Sequence, residues 1–177
     1  MRPPGRIEAP TLRTGRLVLR DLEAVDAAPI AAGISEWEVI RWLTAPPCPY
    51  RLADAEWFIA EAPGQHWALT LDDGTPLVGV ISLKPDLGYW LTRGLHGRGL
   101  MREAAEAVLG WHFARAEDEV ATGHLTGNVP SRRLLLRLRF ADAERTEHFS
   151  NAHGRAVPVQ RMTLAAAAWR ARGRPGP

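Results

Sequence analysis

The chain has 177 residues, a formal net charge of +2, and 24% charged against 46% hydrophobic residues. That length suits one domain with a sizeable core, and so slight a charge excess gives no argument for a nucleic-acid partner. Cys48, the single cysteine, excludes a disulfide framework or a thiolate metal cluster. No run reaches the length of a membrane span and the first residues open no leader-like apolar stretch, so a cytoplasmic protein without metal or membrane is expected.

Residues 1–13 are expected to form an irregular arm, since Pro3, Pro4, Gly5 and Pro10 interrupt any pattern. Arg16–Arg20 alternates with period two, as a strand does. Asp26 is placed as the cap of a helix through about Ile34, and Ser35 as the start of another carrying Trp37, Val39, Ile40 and Trp42. Ala45–Tyr50, with Pro46, Pro47 and Pro49, must be a loop. Asp54 is then expected to cap a helix through Ala62. His66–Leu71 and Leu77–Leu83 suit strands joined at Asp72-Asp73-Gly74-Thr75, an Asp-Gly hairpin signal. Leu87–Leu91 is a short apolar strand. A loop with Gly94, Gly97 and Gly99 follows it, and then a helical pattern with Leu100, Ala104, Val108 and Trp111 on one face. Val120–Leu125 makes a further strand, and Asn128–Ser131 opens a helix ending near Phe140. Glu144–Ser150 and Val157–Leu164 pair around Asn151–Gly154, and residues 170–177 are expected to fray. The pattern predicts one α+β domain over residues 1–177, built on a mixed, mainly antiparallel sheet of six to seven strands with about four flanking helices.

The stretch Leu87–Ala114 carries the strongest chemical signal. A strand feeding a glycine-rich turn into a helix brings unpaired amides and a positive dipole end together, which suits an anion. Arg93, Arg98 and Arg102 add charge with no acid among them before Glu103. A Walker loop would need Lys-Ser/Thr after the last glycine, and a dinucleotide fingerprint a third glycine; neither occurs here. His96-Gly97-Arg98-Gly99-Leu100-Met101 instead resembles the Q/R-x-x-G-x-G/A loop that binds acetyl-CoA in the GCN5-related N-acetyltransferases (GNAT). His96 stands there for Gln/Arg, and Met101 for Gly/Ala. A methionine is also found in the branch that acetylates ribosomal-protein N-termini (RimJ/RimL-like).

Other stretches carry the same resemblance, in order. Thr14–Arg20 is similar to the family's T-x-R-L-x-L-R, Gly79 falls in an L-x-G-x-I-x-L strand, and Gly88–Leu91 matches G-Y-W-[LI]. Asn128–Ser131 with Leu135–Phe140 resembles N-x-x-S…L-x-x-L-G-F, except that Arg139 stands where the family has glycine. Met162–Trp169 is similar to the closing M-x-L…W.

The resemblance implies transfer of an acetyl group from acetyl-CoA to a primary amine, such as a protein N-terminus, by direct attack. It places the cofactor on Leu91, His96, Gly97, Arg98, Gly99, Leu100, Met101, Asn128, Ser131 and Arg132. It also implies a backbone amide near Tyr89, Trp90 and Leu91 that polarises the thioester. Ser131 is the candidate acid for the departing thiolate, though it would equally suit a helix cap. A lysine amine is roughly 0.1% free at neutral pH, costing about 4 kcal/mol, whereas an α-amine costs about 1 kcal/mol. No dedicated base is therefore demanded; Glu36, Glu38, His66 and His124 are candidates, with Glu38 on the segment that lines the acceptor cleft in the family. Glu103 suits a partner for the helix dipole. The seven tryptophans are expected in the core, with Trp37, Trp42 and Trp57 as alternative acceptor-cleft residues.

Three alternatives remain at this point. A small-molecule amine (an aminoglycoside or a polyamine) is one, and a non-catalytic acyl-CoA-binding domain is another. The third is nucleic-acid binding through Arg132, Arg133, Arg137 and Arg139, which lie in Gly127–Phe140 without an acid. Either a monomer or a homodimer is compatible with the sequence.

Overall fold

The computed structural model describes residues 6–71, 75–83 and 86–173. The expected Asp-Gly turn falls at residues 72–74 and the far tail at 174–177, outside the described residues. In place of one sheet there are two. The larger has six strands: β1 (Arg6–Ile7), β2 (Leu12–Arg13), β3 (Leu17–Asp21), β4 (Gly64–Leu71), β5 (Gly79–Leu83) and β6 (Gly88–Leu91). Strands β2 to β6 are neighbours in sequence order, and β1 runs parallel to the start of β4. The smaller sheet has β7 (Val120–Leu125), β8 (Ala141–Ser150) and β9 (Arg155–Leu164), with β9 in the middle. Among the described residues a single parallel bridge, Leu87 to Thr122, joins the two sheets.

The helices are α1 (Ala27–Ser35), α2 (Trp37–Ile40), α3 (Leu52–Glu61), α4 (Leu100–Phe113), α5 (Val129–Arg137) and α6 (Ala166–Arg170). They form two layers because β4 to β6 alternate core-facing side chains on both faces. Trp67, Leu69, Ile81, Leu83, Leu87 and Leu91 belong to the core under α4 and α5. Ala68, Val80 and Trp90 belong to the core under α1 and α3. Gly33 of α1 lets that helix lie on the Trp90 ring, where a Cβ would come within 2.6 Å.

Several boundaries differ from expectation for identifiable reasons. The amino-terminal arm is not irregular throughout: the Gln65 side-chain amide donates to the Glu8 carbonyl at 2.7 Å and the Trp67 indole to Pro10 at 2.8 Å. Asp26 does not cap α1 with its side chain; the carboxylate is buried and accepts both Arg20 guanidinium nitrogens at 2.8 Å. Asp54 sits inside α3 and accepts the Arg51 amide at 2.7 Å. Trp37 and Trp57 are exposed rather than core, at 50% and 58%. Residues 170–172 are tied down, with Arg170 on Glu117 and Arg172 stacked 3.9 Å over the Trp169 ring. Among the described residues no helix is long and apolar enough to cross a membrane, and no cluster of His, Cys, Asp or Glu would hold a metal ion.

Candidate functional site

The site is a wedge that opens where β6 and β7 part. Leu87 still bonds β7, its amide donating to Ala121 at 2.8 Å and its carbonyl accepting the Thr122 hydroxyl at 2.7 Å. Beyond that bridge no pairing joins the two strands among the described residues. Main-chain groups along a strand point alternately to its two neighbours. Leu87 faces β7, whereas the Thr92 amide reaches back to Val78 beside β5 at 2.9 Å. The odd-numbered residues Tyr89 and Leu91 therefore turn their peptide groups into the wedge, and Trp90 turns its own toward Val80. Trp90 is thus not part of the backbone lining; its side chain fills the core under α1. On β7 the Thr126 amide bonds Pro158 of the opposite neighbour, so Gly123 and Leu125 line the other side of the wedge.

The glycine loop stands at the mouth. Gly97 and Gly99 have φ of 76° and 77°, a left-handed geometry that costs glycine little and other residues about 1 kcal/mol. Gly99 is the N-cap of α4, and no side chain caps that helix. The first intrahelical bond runs from the Glu103 amide to Gly99 at 3.1 Å. By helix geometry the amides of Leu100, Met101 and Arg102 are left without an intrahelical acceptor and point out of the helix end. Arg98 is exposed beside them.

His96 ties the loop to the strand: its Nε2–H donates to the Leu91 carbonyl at 2.7 Å. A residue that sequence reasoning passed over fixes the loop from the other side. Arg16 donates to the Arg98 carbonyl at 2.9 Å and holds Glu103 through its Nε at 2.7 Å and its backbone amide at 2.9 Å. Partial burial pushes the Glu103 carboxyl up, but hydrogen bonds from Thr14 and Arg16 outweigh it and hold the group below its ordinary range. Glu103 is thereby a brace for the loop rather than a free dipole partner.

Across the wedge, α5 is capped, but not by Ser131. Asn128 is the N-cap, and its side-chain oxygen accepts the Ser131 amide at 3.2 Å. That frees the Ser131 hydroxyl, which lies 2.8 Å from the Tyr89 hydroxyl. Burial pushes the Tyr89 phenol up to about 12, the bond to Ser131 pulling slightly the other way, so the pair is neutral at physiological pH. Arg132 faces outward and makes a bidentate pair with Asp142 at 2.7 and 2.8 Å. At its far end α5 closes with Arg139 at φ 73°. The Phe140 amide reaches Leu135 and the Arg139 amide reaches Leu136, both at 3.0 Å, a Schellman ending accomplished without glycine.

The candidate bases separate clearly. His66 is buried, with Nδ1 on the Ser82 hydroxyl at 2.7 Å and Nε2 on the Pro63 carbonyl at 3.0 Å, a structural histidine. His124 donates from Nδ1 to the Leu125 carbonyl at 3.0 Å, and its buried Nε2 has no partner among the described residues. Glu36 is the N-cap of α2, and Glu38 lies 3.4 Å from Arg41. Arg41 in turn sits 4.8 Å over the Trp42 ring, and Trp42 packs on Leu125, Val157 and Val159 at the end of β7. The β8–β9 turn docks on the same segment: His153 Nε2 donates to Arg41 at 2.9 Å and Asn151 to Ala45 at 3.0 Å.

Residues 16–141 match the family model described as an acetyltransferase (GNAT) domain. Among curated protein sequences none matches. The chain is similar in structure to an acetyltransferase (GNAT family) from Bacillus anthracis, at 16% identity, TM-score 0.76, and coverage of 89% of this chain and 99% of that one. It is likewise similar to the ribosomal-protein-S5-alanine acetyltransferase from Vibrio fischeri (14% identity, TM-score 0.75, 91% and 99% covered). A third similar structure is the microcin C7 self-immunity acetyltransferase MccE in complex with acetyl-CoA and AMP (15% identity, TM-score 0.73, 86% and 93% covered). At these identities the likeness concerns the fold.

Proposed function

The chain belongs to the acetyltransferase (GNAT) domain family, and from that premise we propose that it transfers acetyl from acetyl-CoA to a protein N-terminal amine, as a RimJ/RimL-like enzyme of one domain. The observation that carries this reading is the wedge between β6 and β7, with uncapped amides of α4 at its mouth. Acetyl-CoA supplies an activated acyl group with a thiolate leaving group. The amides of Leu100–Arg102 and the guanidinium of Arg98 suit its diphosphate, and the left-handed glycines keep side chains clear of that approach. The backbones of Tyr89 and Leu91 on one side, and of Gly123 and Leu125 on the other, suit the amides of the pantetheine arm. One of the amides on β6 then faces the thioester oxygen, where a fixed donor stabilises negative charge as it develops.

Ser131 is the proton donor in this scheme, and the Tyr89 hydroxyl at 2.8 Å is its reserve. A thiolate leaving group with a pKa of about 8.5 needs little help, so their contribution is modest. The acceptor enters past Trp37, Glu38 and the β8–β9 turn. An α-amine loses its extra proton at low cost, which accords with the absence of a buried carboxylate aimed into the wedge among the described residues.

The test is acetyl-CoA with a panel of peptides, aminoglycosides and polyamines, following released thiol by a colorimetric reagent after subtracting the exposed Cys48. Peptide-dependent release is expected. Calorimetric binding of CoA with no thiol released by any amine would leave an acyl-CoA-binding domain and overturn the enzyme.

A further inference from the structure

Arg20 on Asp26 and Arg132 on Asp142 show how this chain satisfies a guanidinium: each pair is two-pronged, at 2.7 to 2.8 Å. Arg41 is held differently. Its contact with a carboxylate, Nη1 to Glu38, is single and 3.4 Å long, beyond the range of about 2.7–2.9 Å for a charge-assisted bond. Its Nε is shielded from solvent and has no partner among the described residues. Aromatic rings fix the group instead: its carbon stands 4.8 Å from the Trp42 ring centre and 5.9 Å from that of Trp37. Such contacts orient a cation without using its N–H donors. A donor kept dry and unused is costly until an acceptor reaches it.

Position says what that acceptor belongs to. Trp42 packs on Leu125, Val157 and Val159, and Leu125 lines the wedge, so Arg41 stands one ring away from the wedge wall. On its other side His153 meets the Trp37 ring at 5.6 Å and donates to the Arg41 carbonyl at 2.9 Å. The backbone is thus clamped to the β8–β9 turn, while the Arg41 and Glu38 side chains stay 34% and 42% exposed at the mouth where the amine enters. A loose pair of one cation and one anion matches a ligand carrying the opposite of each. The ammonium of an amino terminus suits Glu38, and a nearby carboxylate suits the guanidinium fork, which takes both of its oxygens. We propose that the acceptor is a peptide with Asp or Glu as its first or second residue, whose side-chain carboxylate bonds Arg41. This inference rests on the proposed acetyl transfer to N-termini and adds the sequence that the acceptor must carry.

The test follows thiol release from acetyl-CoA at fixed ionic strength with peptides in matched pairs, Asp against Asn at the first or second residue, and with free aspartate beside them. The unmodified chain should use the better Asp peptide at least tenfold more efficiently in kcat/KM than its Asn twin, mainly through KM. Arg41→Gln should bring that ratio below threefold. Arg41→Glu should reverse the preference, so that a Lys peptide overtakes the Asp one, a change that a merely loosened fold does not produce. Calorimetric binding of CoA checks that each variant is folded. Where one is not, Arg41→Lys keeps the charge without the fork and should also lose most of the ratio. Equal use of Asp and Asn peptides by the unmodified chain would overturn the inference and leave acetyl transfer to N-termini standing. A tenfold preference that survives in Arg41→Gln would overturn it too, as would free aspartate outrunning every peptide. Absence of thiol release with any amine would remove the enzyme, and this inference with it.

Discussion

Two helices begin at the wedge, and the chain finishes them differently. At α5 the last word is the chain's own: Asn128 accepts the Ser131 amide, and the first turn is closed. At α4 the preceding residue is a left-handed glycine, no side chain caps the helix, and three amides are left over. Ser, Thr, Asp and Asn are the usual caps and stabilise a helix by about 1 kcal/mol over alanine, and by a few tenths of that over glycine. Forgoing that at the better-packed of the two helices makes sense if something else binds there. The comparison teaches that the proposed ligand position rests on an unfilled cap in an otherwise well-satisfied frame, more than on glycine content.

Reversing a charge at the open end should break the contrast most. Arg98→Glu places a carboxylate beside the three outward amides, where it competes with a diphosphate. CoA affinity is expected to fall ten- to a hundredfold, about 1.4–3 kcal/mol. Stability without ligand should hold or rise, because an acid at a helix start is favourable by roughly 0.3–1 kcal/mol. Calorimetry and thermal melts on the same sample read the two opposite signs. An unchanged dissociation constant would show that the open helix end is not where CoA binds.

Much of this was legible in the sequence, and the failures share a cause. The glycine loop, the β6 strand and the bounds of α4 and β7 follow from local signals: apolar period, turn residues and helix length. The two departures from the family pattern also resolved locally, with His96 bonding the strand carbonyl of Leu91 and Arg139 taking the left-handed ending itself. What escaped depends on groups far apart in the chain. The two-residue strand β1 exists only through pairing with β4. The split into two sheets is an absence of pairing past Leu87 and Thr122, and no residue type encodes an absence. The cap at α5 was ambiguous because Asn128 and Ser131 are equally good caps; what separates them is Tyr89, 42 residues away from Ser131.

The hydroxyl pair sharpens the comparison by pH. Burial pushes the phenols of Tyr89 and Tyr50 up to about 12. Below pH 10 both folded and unfolded chains keep those protons and stability is intact. Between pH 10 and 12 the unfolded chain releases them first, so stability falls as pH rises through that window. Tyr89→Phe should remove its share of this alkaline loss, roughly 2 kcal/mol after allowing for partial exposure. Denaturant melts from pH 8 to 12 measure it. A variant as alkali-sensitive as the parent would mean that the Tyr89 phenol is solvated and not held against Ser131.

The smallest effect isolates the closed end. Asn128→Ala removes the acceptor of the Ser131 amide and should cost about 1 kcal/mol, a fall in Tm of about 2–4 °C for a chain of this size. The informative quantity is the increment in Tm on adding saturating CoA, because a ligand that binds only the folded chain adds RT ln(1 + [L]/Kd) to its stability. Arg98→Glu loses that increment while its ligand-free Tm stands. Asn128→Ala should do the reverse, starting lower and gaining nearly the same increment, since the amide it exposes belongs to α5 and not to the open end of α4. Melts of both variants with and without CoA make the comparison directly. If Asn128→Ala instead keeps its ligand-free Tm and loses the increment, the two helix ends have the same job, and the division between a cap for the chain and a cap for the ligand collapses.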